Sequence, residues 1–77
     1  MAQQNKDTTF SGINFSNAKR IVEYEFSEHL MFIDRDIKTQ TYIVHITNKI
    51  NRTVVDKFKK YWKEKFIVKV YELKYEL

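Results

Sequence analysis

Asn51-Arg52-Thr53-Val54-Val55-Asp56-Lys57-Phe58-Lys59-Lys60-Tyr61-Trp62-Lys63-Glu64-Lys65 is the stretch on which the fold turns. At about 100° per residue, its Val54, Val55, Phe58, Tyr61 and Trp62, with the flanking Ile50 and Phe66, fall within an arc of about 160°. This spacing predicts a helix whose apolar stripe faces a core. Thr53 followed by Asp56 resembles a capping box, and Asn51 is the alternative cap.

After this helix, Tyr71, Leu73, Tyr75 and Leu77 alternate with Glu72, Lys74 and Glu76, so residues 66–77 read as a strand. Before it, Thr41 to Ile46 reads as another, with Tyr42, Val44 and Ile46 on one face. The polar run 34–39 is a connection, preceded by the apolar run Leu30-Met31-Phe32-Ile33. Residues 17–33 carry two patterns. Val22, Tyr24 and Phe26 alternate with Glu23 and Glu25, as in the first strand of a hairpin. Phe15, Ala18, Val22, Phe26, His29 and Ile33 fit a helical stripe, with Ser16 as a cap. The β-branched and aromatic content favours the hairpin.

The predicted fold class is therefore α+β: a small four-stranded, mostly antiparallel sheet with one amphipathic helix on one face, in the order β-β-β-α-β. Residues 1–15 are expected to be a flexible tail and residues 16–77 a single domain. One helix leaves the opposite sheet face either solvated or covered by a partner.

The chain has 77 residues, and one this short buries only about 60% of the surface its unfolded form exposes. Six Phe, five Tyr and one Trp compensate, which predicts an aromatic core. Without cysteine there is no disulfide, thiolate zinc site or thiol nucleophile, and the expected setting is cytoplasmic. The longest apolar run, residues 30–33, is far below the roughly 20 residues of a spanning helix, so neither membrane insertion nor export is expected. The abundance of Lys, Ile, Asn, Phe and Tyr is a bias associated with AT-rich coding, as in many bacteriophages and low-GC bacteria.

Charge is concentrated in one place. Residues 49–65 hold seven basic against two acidic groups, a net of +5, while the rest holds seven against eight, a net of −1. Lys49, Arg52, Lys59, Lys60 and Lys63 occupy an outer stripe, interrupted by Asp56, opposite the apolar arc. Such a stripe is either a solvated face laced by weak i,i+4 pairs (Arg52 and Lys60 with Asp56, Lys60 with Glu64) or a surface for phosphates. With one Arg and no Gln on it, base-specific readout is disfavoured.

The remaining constellations do not point to catalysis. His29 and His45 lack metal-ligand spacing, and each reads as an ordinary half-exposed strand residue. Ser11, Ser16 and Ser27 have no nucleophile-elbow context. Asp36-Ile37-Lys38 and Glu72-Leu73-Lys74 match the carboxylate-x-lysine pattern of metal-dependent nucleases, which arises by chance in a chain that is 31% charged. One glycine cannot build a phosphate loop. No enzyme, metal or cofactor is expected. The expected function is non-enzymatic binding of nucleic acid or a nucleoprotein through Lys49, Arg52, Lys59, Lys60 and Lys63. The alternative is a protein-binding inhibitor or adaptor, encoded by a phage or mobile element and directed at a host protein. It would use Tyr71 and Tyr75 on a sheet face or edge, with homodimerisation through edge strands as a variant.

Overall fold

The computed structural model describes residues 8–72. In chain order the elements are β1 (Thr9–Phe10), β2 (Ile13–Asn14), α1 (Phe15–Phe26), β3 (Leu30–Asp36), β4 (Thr41–Thr47), α2 (Arg52–Trp62) and β5 (Phe66–Tyr71). The α+β class holds. Its make-up is a three-stranded sheet in the order β3-β4-β5, a separate two-stranded β1-β2 hairpin, and two helices.

The first correction concerns α1, for which the strand reading fails. Ala18, Val22 and Phe26 form its buried stripe, whereas Tyr24, which a strand would place beside Val22 and Phe26, is 84% exposed. The cap is Asn14, whose Oδ1 accepts the Asn17 N–H at 2.8 Å, not Ser16. A short 3-10 turn, Ser27–His29, then leads into β3.

Residues 1–7 of the expected tail lie outside the described residues; within 8–15, β1 and β2 pair antiparallel around Ser11 and Gly12, both with positive φ, as a two-residue type I′ hairpin loop requires. Phe10 joins the core, and the Phe15 N–H donates to the Thr8 carbonyl at 2.8 Å.

The second correction is strand direction. β3 and β4 pair antiparallel, but β4 and β5 run parallel, because α2 carries the chain back across one face between them. The expected fourth strand ends, as described, at Tyr71; Tyr75 lies outside the described residues.

The expected face of β4 is as read: Tyr42, Val44 and Ile46 are fully buried and share one core with α1 and α2 residues, so both helices cover the same side of the sheet. The α2 cap is Asn51, whose Oδ1 accepts the Thr53 N–H at 2.7 Å. In the α2 stripe Val55 and Phe58 are buried, while Tyr61, at the edge of the arc, is 78% exposed.

Tyr42 fastens the N-terminal hairpin to this core. Its hydroxyl donates to the Ile13 carbonyl at 2.6 Å, with the Thr8 carbonyl 3.1 Å away, and its ring packs against Phe10 at 4.9 Å between centroids. Burial raises the hydroxyl's pKa above its ordinary value of 10.0, against lowering by the Phe10 backbone hydrogen bond and the Arg35 charge. The unfolded chain therefore loses this proton first. The stability Tyr42 contributes is complete below pH 10.0 and declines as pH rises through the raised folded value. Tyr42→Phe should cost about 0.5 to 1.5 kcal/mol, since it removes the hydrogen bond to the Ile13 carbonyl, and should blunt the alkaline decline. Denaturant melts at neutral and alkaline pH check both effects; an unchanged midpoint at neutral pH would show that the hairpin is not held this way.

Candidate functional site

Of the predicted stripe, Arg52, Lys59, Lys60 and Lys63 are exposed on α2 and Lys49 sits in the exposed turn after β4; Lys57, outside that stripe, is exposed as well. Of the expected pairs only Arg52 with Asp56 forms, at 3.8 Å and in solvent, where its contribution is small. Among the described residues, Lys57, Lys59, Lys60 and Lys63 have no ion-pair partner. Lys59 and Lys60 lie in the last turn and Lys63 at the C-cap, so part of their role is to face the negative end of the helix dipole.

The stripe is not one flat patch. Arg52 and Lys59 border a hollow with Asn48, Ile50 and Val70 on the β5 side of α2. Lys63 instead reaches a polar cavity beside the β3–β4 turn, where Thr39 and Thr41 also lie. On the α1 side of α2, a groove of about 700 Å³ is floored by Ile21, Phe58 and Trp62 and walled by Tyr24 and Tyr61. Arg20, Lys57 and Glu25 form its charged rim. The wheel places Tyr61 in the apolar arc and the strand reading places Tyr24 on an inner face; both instead line this groove, which exists because residues 15–26 form a helix beside α2.

The opposite sheet face has no helix on it. There Phe32 stacks on His45, with centroids 4.2 Å apart and planes at 16°, and the Tyr71 hydroxyl lies 2.8 Å from His45 Nδ1. His45 is thereby 8% exposed rather than half-exposed, shielded by the rings on either side, which are themselves 51% and 40% exposed. Phe32 reaches this face through a bulge. Leu30 pairs with Ile46 and Phe32 with His45, leaving Met31 as the extra residue that shifts the alternation. Tyr71 is thus on the face where a partner was expected.

The chemistry-bearing patterns have structural accounts. The Asp36 carboxylate accepts the Lys38 and Thr39 N–H groups at 3.1 and 3.4 Å, closing the β3–β4 turn. The Glu72-Leu73-Lys74 match extends outside the described residues. Among the described residues no three His, Asp or Glu side chains come together as a metal site, and no helix is long and apolar enough to cross a membrane.

No protein-family model matches the chain, and comparisons with curated proteins and with solved structures find no match either. Its functional reading rests on its own residues.

Proposed function

We propose that the protein is a non-enzymatic binding module whose α2 surface contacts the phosphates of a nucleic acid. The observation that carries this reading is the net +5 of residues 49–65, centred on the exposed side of α2, where Arg52 alone of the helical cations has an ion-pair partner among the described residues. Lysines held this way raise local potential and release counterions on binding phosphate. Their chemistry favours affinity without base readout.

The test is a salt series. Binding to a labelled oligonucleotide should weaken steeply between about 50 and 200 mM salt, with a log–log slope reporting several released ions. A slope near zero would remove the phosphate reading.

A second reading has its own observation, the Phe32–His45–Tyr71 cluster, whose two outer rings are exposed. A protein partner, or a second copy of the chain, would bury it, and the face's Asp34 and Asp36 against Lys69 suit such a partner better than nucleic acid. Sedimentation of the wild type and of Phe32→Ser should then differ if the partner is a second copy.

A further inference from the structure

We infer that the groove between α1 and α2 seats a single-stranded segment, with bases stacking on Tyr24 and Tyr61 and the sugar–phosphate backbone passing Lys63. This rests on the phosphate-binding reading of α2 and adds the strandedness of the ligand.

Two cavities meet at the Tyr61–Trp62 pair, whose rings touch edge to face at 4.9 Å. On one side is the largely apolar groove of about 700 Å³; on the other is a cavity of about 650 Å³ lined by Lys63, Lys65 and the hydroxyl-bearing Ser11, Thr39 and Thr41. A single strand presents the same division, flat apolar bases on one edge and anionic phosphates on the other. A duplex hides its bases in the stack and cannot use the apolar half.

The rings are presented for contact. Tyr24 and Tyr61 are 84% and 78% exposed, although each projects from a helix whose buried stripe is complete without it. Charge selects the occupant. Across the two cavities Arg20, Lys57, Lys63 and Lys65 outnumber Glu25 and Glu64 four to two, which complements a polyanion rather than a neutral apolar peptide.

Trp62, the only tryptophan, floors the groove and reports its occupancy by fluorescence. The full chain is titrated with an oligothymidylate of about 15 nucleotides, an abasic strand of equal length and a duplex of equal phosphate number. The expected result is Trp62 quenching by oligothymidylate, at about tenfold or higher affinity than for the abasic strand or the duplex. Tyr24→Leu and Tyr61→Leu should each weaken oligothymidylate binding about tenfold and narrow its advantage over the abasic strand. Equal affinity for all three ligands, with Trp62 unquenched, overturns the groove and leaves the basic helix standing. Failure of all three to bind overturns the basic helix, and the groove with it. Quenching by an apolar peptide but by no nucleic acid assigns the groove to a protein ligand and overturns the inference.

Discussion

Phe58→Ala is expected to lower the protein's stability by about 3 to 5 kcal/mol, a large share of the total. Phe58 is 3% exposed and joins three elements: its ring meets Phe26 of α1 at 4.8 Å, Phe66 of β5 at 5.4 Å, and Trp62 of its own helix at 6.2 Å. The first two contacts are edge to face, the arrangement that adds to simple burial. Truncation removes the ring and leaves a cavity that neighbours on two helices and a strand cannot jointly fill. Such losses run at about 3 to 5 kcal/mol, against a total stability of about 4 to 12 kcal/mol for a chain of this size. Urea denaturation followed by far-UV circular dichroism measures it. A midpoint equal to that of the wild type would mean that α2 does not dock through Phe58.

From the sequence, Trp62 and Phe58 are equivalent, since both lie near the centre of the apolar arc. The structure separates them: Phe58 is in the core and Trp62 is half-buried at the floor of the groove. Trp62→Ala should therefore be the milder of the two, by about 1 to 3 kcal/mol, because less apolar area leaves the interior. A periodicity argument gives the direction a side chain takes from its helix, but not what stands opposite it.

The same limit explains α1. Residues four apart share a face both in a helix and in a strand, so Ala18, Val22 and Phe26 satisfy either period. Only positions at other spacings discriminate. Tyr24, two from Val22, must share its face in a strand and leave it in a helix; Phe15, seven from Val22, behaves the other way. The structure has Tyr24 in solvent and Phe15 against the core. Weighting Phe15 and the Asn14 cap above β-propensity would have chosen the helix.

Elements with one dominant period were legible: α2 through its stripe and β4 through Tyr42, Val44 and Ile46. The β1-β2 hairpin was legible in principle, since Ser11-Gly12 between Phe10 and Ile13 is a turn dipeptide between apolar residues. The parallel pairing of β5 was not, because alternation carries no direction. Nor was the Phe32–His45 contact, because the bulge at Met31 shifts register inside an uninterrupted apolar run. For the candidate site, the exposed lysines followed from the wheel, while the groove depended on knowing that a second helix lies beside α2.

Replacing Lys59, Lys60 and Lys63 together with Glu should reduce nucleic-acid affinity more than any other surface change. It takes residues 49–65 from +5 to −1 and leaves every buried residue untouched. If the three lysines meet phosphates, the slope of log K against log salt should fall by about 2 to 3, and affinity near 0.1 M salt should drop on the order of a hundredfold or more. The reversal also sets three carboxylates at the negative end of the α2 dipole, which costs about 0.3 to 1 kcal/mol each. Folding is therefore checked by circular dichroism, and a Lys→Gln set at the same positions separates the two effects. Neutral Gln leaves no like charge against the dipole, yet still removes three phosphate contacts. Weakened binding in both sets, with the Gln set intermediate in stability between the wild type and the Glu set, is the expected pattern. Full affinity in a folded Glu variant would leave the lysines as a solvated helix face and transfer the function to the Phe32–His45–Tyr71 side of the sheet.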